Sequence, residues 1–162
     1  MDKTLFYAAG LKFSCKRCSA CCRGAPGFVY LSEKDLLSLA ETLKMDKNSF
    51  IITYCRWVND WKGDEVLSLK EKSNKDCVLW NNGCIVYSAR PLQCITFPFW
   101  ESIVNSADTW EMAAGCCPGI NSGELHSEKT IKDNIEKYSA QTIINRPREE
   151  PKNYNLTMRG GL

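Results

Sequence analysis

Apolar positions in this chain fall in short runs, and the period of each run predicts an element. Leu36, Leu37, Leu39, Ala40 and Leu43 recur near the 3.6 spacing of a helix that begins at Ser32. Ser32 and Asp35 match a capping box with Asp in place of Glu, and Glu33 and Asp35 suit the positive end of the helix dipole. Asp46 to Asn48 interrupt the pattern, and Ser49 is expected to cap a second short helix through Phe50-Ile51-Ile52-Thr53-Tyr54-Cys55. Cys55 in that apolar segment reads as a buried thiol packing as a small hydrophobe. Val66 to Lys70 alternates as a half-buried strand does, and Phe28 to Leu31 reads as a short strand. Two β-rich runs, Cys77-Val78-Leu79-Trp80 and Cys84-Ile85-Val86-Tyr87, flank Asn81-Asn82-Gly83 and predict a hairpin. Depending on register, Cys77 and Cys84 lie at its outer ends or beside its turn, and both can present sulfur to one site.

Pro91 suits the first turn of a short helix that delivers Cys94 back towards the hairpin. Pro98 keeps Ile95 to Trp100 from forming a regular helix. Trp110 to Ala114 is expected to be a strand ending at Gly115-Cys116-Cys117-Pro118-Gly119, where a cysteine ahead of Pro-Gly can turn inward at a metal. Ser127 caps a final helix running to about Ile144, with Ile131, Ile135, Tyr138 and Ile143 or Ile144 on its buried side. Phe6 to Phe13 reads as an extended lead-in. The sum is a small α+β fold: helices around a short hairpin or sheet, with loops wrapped on a metal centre.

Length refines this picture. A chain of 162 residues fits one domain, residues 1–145, followed by a flexible tail at 146–162 of mixed charge, two Pro and two Gly. The net charge of +2 is too small to argue for nucleic acid or an anionic membrane. No apolar run approaches the ~18–20 residues of a membrane span. Leu5 to Leu11 is short for a signal core and follows Asp2 beside Lys3, so it reads as part of the fold and the expected location is cytoplasmic.

Ten cysteines in such a chain change the picture most, because they shift the reading from disulfides to metal or redox chemistry. Cys15-Lys16-Arg17-Cys18-Ser19-Ala20-Cys21-Cys22 places four thiols in eight residues. A C-x-x-C turn brings two sulfurs within reach of one metal, and the second step repeats it. The spacing of Cys15, Cys18 and Cys21 is also how bacterial ferredoxin-type sequences begin a 4Fe–4S site. Neighbouring residues project differently, so Cys21 and Cys22 are expected to serve different metal atoms or different sites. Lys12, Lys16, Arg17 and Arg23 surround the cluster with no acidic residue between Lys12 and Arg23, which suits thiolates.

These residues resemble the CxxCxxCC cysteine-cluster family of zinc- or iron-chelating proteins, a cluster similar to one in flagellin lysine methylases. The resemblance spans about residues 13 to 125. It runs from Cys15-x-x-Cys18-x-x-Cys21-Cys22, through Cys77, Cys84 and Ile85-Val86-Tyr87, to Arg90-Pro91-x-x-Cys94-x-x-Phe97-Pro98 and Cys117-Pro118-Gly119. It implies eight metal ligands: Cys15, Cys18, Cys21, Cys22, Cys77, Cys84, Cys94 and Cys117. Cys55 and Cys116 are left over. A basic residue often follows the position matched by Cys94 in the family, and Ile95 stands there in this chain.

Eight thiolates suffice for two closed four-ligand sites or one multinuclear site. All-Cys ligation suits zinc and iron–sulfur alike, and the triple spacing favours iron–sulfur. Ligands so far apart close long loops, so the metal-free chain is expected to fold poorly. The sequence holds no glycine-rich nucleotide loop, no H-E-x-x-H and no Ser nucleophile elbow. His126 is expected in a polar turn with a surface role. Arg90 either neutralises cluster charge or pairs with a carboxylate, and Trp80, Phe97, Phe99 and Trp100 read as core. Two functions stay open: an iron–sulfur protein in electron transfer or cluster-assisted modification, and a zinc-stapled module that binds a protein partner through its last helix and tail. Metal delivery ranks third, since closed Cys₄ sites release metal slowly.

Overall fold

The computed structural model describes residues 5–147. Two small antiparallel sheets and the helices packed on them make an α+β fold, as the sequence implies. The first sheet pairs β1 (Leu11–Phe13) with β4 (Ile120–His126). Their register breaks between Lys12 and Phe13, and two glycines make the break possible. Gly123 has φ +81°, and a Cβ there would collide with the Ser14 hydroxyl; one on Gly119 would collide with the Ser14 carbonyl. Ser14 in turn donates its N–H to Gly119 O at 3.1 Å and accepts the Glu124 N–H at 3.0 Å. The residue immediately before Cys15 is thereby gripped from two sides.

The second sheet pairs β2 (Cys55–Asn59) with β3 (Glu65–Leu69), Cys55 opposite Leu69 and Asn59 opposite Glu65. β3 is buried from Val66 to Leu69 rather than on alternate residues. The reason is that its other edge is also covered: Leu31 N–H donates to Leu67 O, and Leu67 N–H to Ile144 O. Phe28 to Leu31 runs alongside β3 through a Tyr30–Ser68 bridge and not as a longer strand. Arg146, expected in the tail, pairs with Glu65 at 3.0 Å, while the rest of the tail from residue 148 lies outside the described residues.

The helices are α1 (Glu33–Thr42), α2 (Lys47–Tyr54), α3 (Leu92–Thr96), α4 (Glu101–Val104), α5 (Ala107–Ala114) and α6 (Glu128–Ser139). α1 carries the expected capping box. α2 begins earlier than expected because Asp46, not Ser49, is the cap: its carboxylate accepts the Ser49 N–H. Cys55 follows the helix as the first residue of β2 and is buried.

Four further expectations are corrected. Trp110 to Ala114 is helical, because Ser106 caps α5 and alanines and Met112 fill it with strong helix formers. α6 stops at Ser139, and the β-branched Ile143 and Ile144 leave it to pair with Ser32, Leu31 and Leu67. His126 ends β4, with a ring nitrogen 2.9 Å from Phe13 O and its ring centroid 4.9 Å from that of Phe99. The 77–87 hairpin shortens to one Trp80–Cys84 bridge around Asn82 and Gly83, both at positive φ. Among the described residues, no helix is long and apolar enough to cross a membrane.

Two apolar clusters result. One gathers Leu36, Leu39, Phe50, Leu67 and Leu79, the other Tyr7, Phe99, Val104, Trp110 and Ile131. Each large fully buried side chain contributes roughly 1.5–3 kcal/mol. Five residues cannot hold a helix alone, so α3 depends on its neighbours. The buried Asp35 carboxyl accepts the Ser32 N–H at 3.0 Å and the Leu92 N–H at 2.9 Å, and Gln141 Nε2 also donates to it. Gln93 bonds Phe28 O and the Tyr30 N–H with the two ends of its amide. Asp35 thus joins α1, α3 and the segment after α6.

Asp35→Ala leaves the Ser32 and Leu92 N–H groups without partners, a loss of about 3 kcal/mol. The metal-loaded variant is expected to melt roughly 10 °C lower, with Asp35→Asn recovering part of the difference. Thermal melts by circular dichroism check this, and equal melts would show that the hub adds nothing.

Candidate metal centre

The cysteine loop leaves β1 at Ser14 and reverses twice. Arg17 (φ 52°) and Ser19 (φ 64°) both take left-handed backbone, which disfavours non-glycine residues by about 1–2 kcal/mol each. Local contacts hold this shape. Arg17 N–H donates to Cys15 Sγ at 3.4 Å, and Ser19 O accepts Cys22 N–H at the head of a 3-10 turn, Ala20–Cys22. Cys21 Sγ and Cys22 Sγ lie 3.8 Å apart. The tight turn therefore brings the two sulfurs together, contrary to the divergence expected of neighbours. A tetrahedral centre with ~2.3 Å metal–sulfur bonds has a sulfur–sulfur edge of about 3.8 Å, so this pair can share one centre.

The loop docks on the segment before Cys77. Cys77 N–H donates to Cys22 O at 2.7 Å. Asp76, buried, accepts the Gly24 N–H at 3.1 Å and the Asn74 amide at 2.9 Å, and faces Arg23 Nε at 3.9 Å. Arg23 also lies over the Trp80 ring, 4.3 Å from its centroid. Cys84 follows the Asn-Gly turn, and Cys94 comes from α3.

Electrostatics tie five of these thiols together. The Cys22 thiol donates to Cys21 and holds it down to about 6, helped by the charge of Arg90. The same bond pushes Cys22 up, with burial and the nearby Cys77 and Cys94 acting in the same direction. Burial pushes Cys77 up, with Cys84 and Cys21 adding to it. Burial also raises Cys94 to about 12, and Cys21, Cys77 and Cys84 add to it. Cys21, Cys22, Cys77, Cys84 and Cys94 therefore form one electrostatic neighbourhood. Cys55 stands apart: burial raises it to about 12, and its charged neighbour is Lys70.

The remaining expected ligands are placed differently. Cys15 is exposed, with its sulfur 3.9 Å from Tyr87 Oη. Cys18 is exposed on the loop. Cys117 is half-buried on the rim of the second apolar cluster, and Cys116 is exposed. Among the described residues, no three Cys, His, Asp or Glu side chains close on a point at metal-ligating distance. The donor set still fits a soft metal, since the gathered side chains are all thiols and Arg90 and Lys72 bring positive charge to Cys21, Cys94 and Cys77. Asp76 and Tyr87 were not singled out by the sequence as site residues, although one precedes Cys77 and the other closes the Ile85-Val86-Tyr87 run.

An α+β fold that gathers cysteines beside arginines defines a thiol-rich metal-binding protein. The chain belongs to the CxxCxxCC family, described as "Putative zinc- or iron-chelating domain", whose pattern matches residues 14–118 and so takes in all eight cysteines implied above. It is similar to Uncharacterized protein MJ0661 of Methanocaldococcus jannaschii, 28% identical over 141 residues, covering 82% of this chain and 69% of that protein. It is also similar to Uncharacterized protein MJ0939 of the same organism, 29% identical over 133 residues, covering 78% of this chain and 43% of that protein. No solved structure matches.

A pH dependence follows. With Cys22, Cys77 and Cys94 as ligands, each pushed up and so protonated at neutral pH, loading must release their protons, whereas Cys21 is already a thiolate above about 6. Metal uptake at neutral pH is expected to release at least about three protons per centre, and affinity to fall about a thousandfold per pH unit on acidification. Calorimetry in buffers of different ionisation heat measures the release. Fewer than one proton would count against these three ligands.

Proposed function

We propose that the chain carries an iron–sulfur cluster used in electron transfer or in a cluster-assisted modification. Its ligands are drawn from Cys15, Cys18, Cys21, Cys22, Cys77, Cys84, Cys94 and Cys117. The observation that carries this reading is the shared electrostatic neighbourhood of Cys21, Cys22, Cys77, Cys84 and Cys94, contributed by three separate segments. When bound, such a cluster supplies one-electron chemistry at the potential its surroundings set. The chain's own part is to hold the thiols, to offset their charge with Arg17, Arg23 and Arg90, and to fix Cys94 by tying α3 to Asp35 through Leu92 and to Phe28 and Tyr30 through Gln93. Cytoplasmic location belongs to this reading, because thiols of this density stay reduced there.

A second reading is a zinc-stapled interaction module without catalytic activity. The 3.8 Å separation of the Cys21 and Cys22 sulfurs favours it, since that is the edge of a tetrahedral zinc site. On this reading a protein partner docks on α6 and the tail. The charges of α6 already pair within the helix, Lys129 with Asp133 and Lys132 with Glu128, so the partner meets a surface whose charges are largely satisfied.

Metal and acid-labile sulfide content of anaerobically purified protein separates the two, together with absorption before and after dithionite. Iron with matching sulfide and a bleachable band near ~400 nm is the expected result. Zinc without sulfide would replace the first reading by the second. Absence of both metals would contradict each.

A further inference from the structure

Tyr87 reaches two of the expected ligands. Its backbone N–H donates to Cys84 O at 3.2 Å, and its hydroxyl donates to Cys15 Sγ at 3.9 Å, across 72 positions of sequence. Two guanidinium groups lie over its ring, with Arg17 Cζ at 4.3 Å and Arg90 Cζ at 3.8 Å from the centroid. Arg90 is further fixed by its Nε–H, which donates to Tyr87 O at 3.0 Å. Arg17 also supplies the second donor to Cys15, its backbone N–H at 3.4 Å.

This arrangement differs from ordinary core packing. Tyr87 is only half-buried and belongs to neither apolar cluster. The charge of Arg90 reaches Cys21 and Cys94 as well, from the same place. An aromatic ring that holds two cations beside a group of thiols keeps their charge where thiolates would otherwise repel one another. A hydroxyl aimed at a thiolate draws electron density from that sulfur and weakens its donation to a metal.

We propose that Arg17, Tyr87 and Arg90 form the outer coordination sphere of the thiolate centre. Tyr87 positions Cys15 and makes it the least electron-rich ligand, while its ring holds the two guanidinium groups that offset the thiolate charge. The inference rests on the reading of Cys15 as a ligand and assigns these three residues the tuning of that site. They are positioning residues.

The test uses the full chain loaded with Co²⁺, whose sulfur-to-cobalt charge-transfer band reports on the thiolates. Wild type, Tyr87→Phe and Arg17→Gln are compared by chelator competition and by band position. Tyr87→Phe is expected to bind the same number of Co²⁺ ions about tenfold more weakly, because the loss of the contact that positions Cys15 outweighs the stronger donation of its freed sulfur, with the band moved to lower energy as Cys15 loses its donor. Arg17→Gln keeps the backbone donor, so it is expected to weaken binding with the band in place. Arg17 is exposed on the loop, so this variant answers the question even if Tyr87→Phe fails to fold. Unchanged affinity in Arg17→Gln, or an unmoved band in Tyr87→Phe, would overturn the outer-sphere role and leave the metal centre standing. Wild type that takes up no Co²⁺ would overturn both.

Discussion

Gathering thiols is costly unless something positive is placed among them. Each thiolate raises the pKa of the next, and burial raises it further, so a group such as Cys21, Cys22, Cys77, Cys84 and Cys94 holds its charge only with cations nearby. Within the pair Cys21 and Cys22 one proton serves two sulfurs, which leaves one thiolate where Arg90 can act on it. A soft metal satisfies the same constraint more fully, by replacing protons with bonds. The rest of the structure follows from the need to hold these sulfurs in place.

Three anchors do that work, each a polar group with several partners. Ser14 is gripped between Gly119 and Gly123 and fixes where the cysteine loop begins. Asp76 fixes where it ends, binding the Gly24 N–H and facing Arg23 beside the Cys77–Cys22 backbone bond. Asp35 fixes α3, the helix too short to stand alone that carries Cys94. The apolar clusters lie on either side of these anchors, with Cys77 and Cys84 on the rim of one and Cys117 on the rim of the other. A metal drawing on both rims would couple the two clusters, which is how a site adds to folding stability.

Much of this was legible in the residues, and the gaps have physical causes. The capping box at Ser32, the helix bearing Cys94 and the isolation of Cys55 could be read because local rules dominate there. The α5 segment was misread as a strand because Trp110 suits either element and the cap, Ser106, lies four residues earlier. β4 was missed because Asn121, Ser122, Gly123 and Glu124 break its apolar pattern, and its register depends on Ser14, over a hundred positions away. The strand β3 reads as half-buried alone, and only the return of Ile144 covers its second edge. At the site, the cysteine spacing marked the metal-chelating family, but the arginines and the tyrosine near the cysteines are a tertiary property. Which sulfurs lie together is likewise set by the anchors, and the closeness of Cys21 and Cys22 depends on rotamers within one tight turn.

On metal loading, thiols from the loop, the Asn-Gly turn and α3 are expected to close on one metal centre. Diffraction from crystals of the metal-loaded protein, recorded on both sides of the absorption edge of the metal it contains, tests this most directly. An anomalous peak about 2.3 Å from the sulfurs of Cys22, Cys77 and Cys94 is the expected result. Metal bound away from these three, or disulfide density joining them, would contradict it.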